Sequence, residues 1–356
     1  MSTNVGILGL GTYFPPEVRR NDWWSPEVVA RWMEQRRSAP RLPPPSVTSE
    51  GARRALRAMA EQSQDPFQST VERRVLAPDL TVHDMEERAS RAALADAGLE
   101  PGAIDLLLTC AVVPDFLAVN PACLVHERLG LPNACFSLHC DASSYGFMSQ
   151  MMLAEAMIRT GRARHALLVQ ACAPSRLLDA RDPLSALFGD LATAVVLGPV
   201  SDGRGVEAAV SFTNGRNPRT LIASVPGKAW YEEGRAVLHI DDPRQAQAVF
   251  VDSVDELKSS VDAVLARSSH ALSDVDFFCI HQGAPWLRRV VQEHVGLTHA
   301  RSVETYARTG YVFASTLPAA LTLAVEQRQL SAGDLVVLAA GGPGTTYGGI
   351  VIRWGV

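Results

Sequence analysis

One pattern is written twice along this chain, and it limits the folds open to it. A helix and a loop lead to Asp105 and an apolar strand over 104–110; a second helix and loop lead to Asp276 and an apolar strand over 277–280. The small residues Ala142-Ser143-Ser144, a helix over 145–160, Gly161 and a strand over 166–170 come next in the first half. In the second, Ala314-Ser315-Thr316, a helix, Gly333 and a strand over 335–339 occupy the same order. The echo is one of pattern, not identity. Apolar strands alternating with helices predict an α/β protein whose sheets are covered on both faces. The stretch Pro199-Val200-Ser201-Asp202-Gly203 is the expected seam, dividing 1–200 from 201–356.

The chain has 356 residues, 47% of them hydrophobic, which is enough to bury such a core without disulfides or metals. The net charge is -5 and no run of Lys or Arg tracks a phosphate backbone, so nucleic acid is not an expected partner. The six cysteines form no C-x-x-C pair and no histidine cluster has zinc spacing, so no metal is expected. The start of the chain lacks a charged leader, and no apolar run reaches spanning length. The expectation is a cytoplasmic protein without a membrane.

Gly6, Gly9 and Gly11 suggest a dinucleotide loop, but Pro15-Pro16 follow too soon for the helix that such a loop opens. The stretch 38–70, broken by Pro40 and Pro43-Pro44-Pro45, reads as a surface insertion with a short helix over 51–62.

Three places can carry chemistry. Ser144 lies between a buried strand and a helix, where unpaired backbone N–H groups and the positive dipole end favour an oxyanion. A serine there needs a base to become a nucleophile, and taken alone it reads more readily as a plain helix cap. His281 ends the strand over 277–280, where α/β folds place working groups. His139 reads as packing or an interface, and Cys140, four residues ahead of Ser144, is not the nucleophile. The glycine-rich run 341–349 lets backbone approach a ligand closely. Ala142-Ser143-Ser144-Tyr145-Gly146 also approximates the G-x-S-x-G elbow of α/β-hydrolases. Against that, roughly 75 residues follow His281, with a helix and two strands by pattern, and no His-Gly-Gly loop precedes the serine.

Seven stretches together resemble the β-ketoacyl carrier-protein synthase III family and its acyltransferase relatives in polyketide and other secondary metabolism. They are Val71-Glu72-Arg73-Arg74, Asp96-Ala97-Gly98, the run 123–130, Leu187-Phe188-Gly189-Asp190, Ile280-His281-Gln282, the run 310–318 and the run 344–349. The resemblance implies a duplicated thiolase fold of five layers, α-β-α-β-α, and a homodimer. It implies an acyl-CoA or a carrier-protein phosphopantetheine thioester as substrate, with no separate cofactor.

The departures from the family pattern are as informative. Ser144 stands where the family keeps a nucleophilic cysteine, and Tyr311 where it keeps an asparagine that helps decarboxylation. Pro343 occupies the likely place of an oxyanion donor and has no N–H, leaving Gly344 as the candidate. Ala118 replaces the phenylalanine that caps a dimer mate's acyl pocket, which implies room for more than two carbons. Trp32 and Arg36 have the spacing of a pair that clamps coenzyme A.

These features imply acyl transfer. Ser144, with His281 as base, takes an acyl group as an oxyester and passes it to a carrier thiol or to a small-molecule hydroxyl or amine. The alternatives are decarboxylative condensation of a starter unit, and a silent subunit partnering an active homologue.

Overall fold

Val5–Tyr13, the apolar run that opens the chain, is a strand laid antiparallel to Leu191–Pro199. The computed structural model describes residues 3–38 and 47–356, so Pro40 and Pro43-Pro44-Pro45 lie outside the described residues. In chain order the strands are β1 (Val5–Tyr13), β2 (Glu17–Arg20), β3 (Glu72–Val75), β4 (Leu106–Val112), β5 (Phe136–His139), β6 (Ala166–Cys172), β7 (Leu191–Pro199), β8 (Gly205–Thr213), β9 (Leu221–Ser224), β10 (Val237–Ile240), β11 (Phe277–Ile280), β12 (Leu335–Gly342) and β13 (Thr346–Arg353). The helices are α1 (Pro26–Ser38), α2 (Glu50–Gln62), α3 (Val82–Ala97), α4 (Ala122–Leu129), α5 (Gly146–Arg159), α6 (Pro243–Ser268), α7 (Leu287–Val295), α8 (Tyr306–Thr309) and α9 (Thr316–Glu326).

The two main sheets have one plan. The first runs β1-β7-β6-β4-β5 and the second β8-β13-β12-β11. In the first, β1 and β6 are antiparallel to β7, while β4 is parallel to β6 and β5. In the second, β8 and β12 are antiparallel to β13, and β11 is parallel to β12. Where β5 flanks β4, a single parallel bridge from Phe277 to Arg301 flanks β11. The loops repeat as well. Ser143 has φ 50° in the turn before α5, and Phe313 has φ 49° in the turn before α9. The Asp105 carboxylate accepts from Arg164 N and His165 N, and that of Asp276 accepts from Leu335 N.

Three apolar clusters turn the sheets into five layers. Helices α3 and α4 cover one face of the first sheet through Met85, Ala89, Val125 and Leu129. Helices α5 and α9 fill the space between the sheets through Phe147, Met151, Leu317 and Leu321. Helices α6 and α7 cover the far face of the second sheet through Val261, Leu265, Val290 and Val291.

The glycines of β1 belong to this packing and not to a nucleotide. A Cβ on Gly11 would fall 2.2 Å from Ala89 O, and one on Gly9 2.5 Å from Ala93 O. Only glycine lets α3 lie this close to β1.

The described part of 38–70 carries a helix packed onto the body of the fold. Helix α2 begins at Ser49, whose side chain accepts from Ala52 N at 3.2 Å. Ala55 and Ala58 are buried with Val254 and Leu257 of α6. Small side chains at three-residue spacing let α2 press onto α6, so it joins the outer layer.

Candidate active site

Ser144 sits in the tight turn Ser143–Tyr145 that leads into α5, with only 2% of its surface exposed. The turn is held by its own chain. Ser143 N donates to Asp141 Oδ1 at 2.6 Å and Tyr145 N to Ala142 O at 3.0 Å. The hydroxyl therefore lies at the positive end of a 14-residue helix.

Tyr311 comes from the second half of the duplication. Its N–H donates to Leu187 O at 2.8 Å, and its ring packs on Phe188 at 5.2 Å and Phe313 at 4.6 Å. Those contacts aim the phenol at the first half, where Tyr311 and Ser144 share a hydrogen bond between their hydroxyls. Burial drives the Tyr311 phenol well above its ordinary range, so it stays protonated.

His281 follows β11 and meets the Tyr311 ring edge-on, 5.5 Å between centroids. It is 3% exposed, and burial pulls its imidazole down to about 4. The ring is thus neutral at pH 7 and can accept a proton. Nδ1 is buried and has no hydrogen-bond partner among the described residues. A Cβ on Gly283 would come 3.2 Å from Nε2, so glycine keeps that side of the ring clear. Gln282 anchors the segment: it donates to Val303 O and accepts from Thr305 N, both at 3.0 Å.

The Leu187-Phe188-Gly189-Asp190 stretch is structural support. The buried Asp190 carboxylate accepts from Leu76 N at 2.7 Å and Ser175 N at 3.1 Å, fixing the loop that holds Phe188 against Tyr311. Cys140 is not activated, since burial raises its thiol to about 11. His139 bonds Thr109 at 2.9 Å on the edge strand β5.

The glycine-rich run is a hairpin between β12 and β13, with its turn at 343–345. A Cβ on Gly342 would lie 3.1 Å from Tyr145 N and 3.5 Å from Ser144 N. The hairpin thus presses on the nucleophile turn at Gly342. Gly344, the expected donor, is not among the residues lining the cavity, whereas Gly342, Pro343 and Thr345 are. Thr345 pairs with Asn214 in both directions at 2.8 Å, which ties the turn after Pro343 to the residue that follows β8.

His281 and Tyr311 open onto a cavity of about 230 Å³ with Phe188, Leu221, Phe250 and Leu287 in its walls. A second recess of about 370 Å³ shares Gln68, Ile240, Ala246, Phe250 and Ala284 with it and continues toward Arg36, Met59 and Ser63. Arg36 therefore stands beside an approach to the site, donating to Ser63 O and Asp65 O. Trp32 does not stand with it as an open clamp. It is 2% exposed, it packs against Trp24 and Phe67, and its Nε1 donates to Arg181 O at 2.6 Å. Ala118 is exposed on the loop after β4 and does not line the cavity of its own chain.

Thr220, Glu256 and Gln68 also line the cavity and were missed from the sequence. For Glu256 a signal existed. It shares the face of α6 that carries Ala246, Val249, Phe250 and Leu257, a carboxylate on an apolar stripe. Among the described residues no group of His, Cys, Asp and Glu could hold a metal ion. No described helix is long and apolar enough to cross a membrane.

Two mixed sheets and five layers, with a serine at a helix head bonded to a tyrosine that packs on a histidine, both from the duplicate half, define a thiolase-fold enzyme. Residues 138–215 match the family model for 3-oxoacyl-[acyl-carrier-protein (ACP)] synthase III, and residues 265–354 match its C-terminal model. The chain is 34% identical to β-ketoacyl-[acyl-carrier-protein] synthase III of Geobacillus kaustophilus over 285 residues, 80% of this chain and 87% of the relative. It is 30% identical to synthase III 1 of Bacillus cereus over 353 residues, 99% of both. The crystal structure of the Pseudomonas aeruginosa 3-oxoacyl-(acyl carrier protein) synthase III matches with TM-score 0.79 and 28% identity, over 99% of each chain. The chain belongs to the 3-oxoacyl-acyl-carrier-protein synthase III family and is an enzyme of the transferase type.

Proposed function

We propose that this enzyme moves an acyl group from a coenzyme A or carrier-protein thioester through an ester on Ser144 to a second nucleophile. That nucleophile is a carrier thiol or a small-molecule hydroxyl or amine in secondary metabolism. The observation that carries the reading is the hydrogen bond between Ser144 and Tyr311 beside a neutral His281. A protonated Tyr311 donates to Ser144 Oγ, which leaves the serine's own hydrogen for His281. Ser144 Oγ then bonds the acyl carbon, the thiolate leaves, and the imidazolium returns the proton to it. In the second half His281 deprotonates the acceptor, the acceptor takes the acyl carbon, and Ser144 recovers its hydrogen. The Ser144 N–H at the head of α5 supports the oxyanion. The enzyme needs no resident cofactor, since the thioester is itself activated.

Tyr311 speaks against condensation as the main reaction, because a phenol directed at Ser144 replaces the family's amide. The names of the relatives keep decarboxylative condensation as the second reading.

A homodimer completes the assembly. Strand β5 ends the first sheet and exposes Phe136 and Leu138, and the neighbouring loop exposes Phe116, Leu117 and Val119. An unpaired edge beside an apolar patch fits a second copy of the chain, and that copy would carry Ala118 toward its partner.

The test is intact-protein mass after incubation with a panel of acyl-CoAs, beside Ser144→Ala. One acyl group gained, and lost in the variant, is expected. Carbon dioxide released from a malonyl thioester would favour condensation. No adduct from any CoA or carrier donor would favour a silent subunit.

A further inference from the structure

The cavity is mostly apolar, yet among its polar side chains are Glu256 and Thr220, which acyl transfer through Ser144 does not use. Glu256 is half-buried on the cavity face of α6. It lies near Asn214, which is tied to Thr345 of the hairpin by two backbone bonds of 2.8 Å. Burial, with a smaller push from the negative charge of Asp252 one turn earlier on α6, raises Glu256 to about 7. Among the described residues no cation acts on Glu256. Two carboxylates one turn apart repel, and a half-buried one without a counter-charge is costly.

The second side chain is Thr220. It is 3% exposed, it lines the same cavity, and its hydroxyl has no hydrogen-bond partner among the described residues. A buried orphan hydroxyl costs about 1–3 kcal/mol unless a guest meets it. Aromatic rings also stand nearby. Phe250 and Tyr347 line the cavity, Tyr347 stacks on Phe212 at 5.5 Å, and its phenol is within reach of the Glu256 charge. A carboxylate without a cation beside aromatic faces is the environment that an ammonium group prefers.

We propose that Glu256 is a specificity-determining residue that binds an ammonium group carried by the acyl acceptor, with Thr220 as a further polar contact for that acceptor. The acceptor is then a small amphipathic amine. Its apolar body lies along Leu221, Phe250 and Leu257, and its charge is held away from the nucleophilic atom that takes the acyl group. The assignment rests on the acyl-transfer reading for the word acceptor, but the amine site stands on the cavity itself.

Calorimetric titration of the full chain with 1-hexylamine and with 1-hexanol at pH 8 tests it. The amine is expected to bind at least about 10-fold more tightly than the alcohol, the worth of one charge-assisted bond. Glu256→Gln should erase that preference and Glu256→Asp should retain part of it, with melting curves confirming that both variants are folded. Equal binding of amine and alcohol by the natural protein overturns the proposal, as does an unchanged preference in folded Glu256→Gln. Acyl loading of Ser144, read by mass in a separate sample, reports on the transferase reading alone. Amine selectivity without loading would sink that reading and keep the site; loading without selectivity would do the reverse.

Discussion

The Ser144 and Tyr311 hydroxyls share a hydrogen bond across the two halves of the duplicated fold, one from the turn before α5 and the other from the turn before α9. The same turn occurs in both halves, so the pairing follows from the pseudo-symmetry. Each turn puts its tip against the other between the two sheets.

If Tyr311 supplies the donor that holds Ser144, Tyr311→Phe should slow the appearance of the acyl adduct by about 100-fold, in line with the loss of one transition-state donor. Tyr311→Asn restores the family's amide, and carbon dioxide release from a malonyl thioester should appear or rise in that variant. Time-resolved intact mass and a radiolabelled carbon dioxide assay read the two effects. An unchanged loading rate in Tyr311→Phe would leave the phenol as packing alone.

The buried imidazole sets the pH behaviour. His281 has its folded value lowered to about 4, and the unfolded chain protonates near the ordinary histidine value. The folded state therefore binds fewer protons in between, and stability falls as pH drops through that window. The loss is on the order of 3 kcal/mol by pH 4. Acyl loading, which needs the neutral ring, should stay flat from pH 8 down to about 5. An acid limb centred near 6.5 would show that His281 works in a solvated state.

Glu86 gives the opposite sign. It is fully buried on α3, its two carboxyl oxygens have no partner among the described residues, and burial with the nearby Asp115 charge raises it to about 8. Its unfolded value lies near 4.5, so the folded state holds the extra proton and stability falls as pH rises from 4.5 to 8. Glu86→Gln should remove that slope and raise the melting temperature at pH 8. Thermal melts at pH 5 and pH 8 would show it, and an equal shift at both would refute the buried-acid assignment.

The β5 edge predicts the assembly. The natural chain should sediment at twice 38.4 kDa, and Leu138→Lys should shift it toward the monomer by placing a charge on an apolar edge strand. A natural monomer would leave the apolar loop around Ala118 without a partner of its own kind.

What the sequence determined by itself was the repeated order of strands and helices. Apolar periodicity is a local signal, and Asp105 and Asp276 mark equivalent strand starts in each half. Ser144 and His281 could be singled out for the same reason, since each sits next to a strand or helix whose type the neighbouring residues dictate, whereas Tyr311 stood out only through the family resemblance. Their meeting could not be read there, since Ser144 and Tyr311 are 167 positions apart. Nor could the burial of Trp32, the packing of α2 onto α6 or the turning of the hairpin after Pro343. Those depend on which surfaces face each other once the two sheets are stacked. The tertiary structure alone decided that Glu256 and Thr220 share a cavity with His281 and Tyr311, because a cavity belongs to several elements at once; the apolar stripe around Glu256 marks its helix face but not what that face meets.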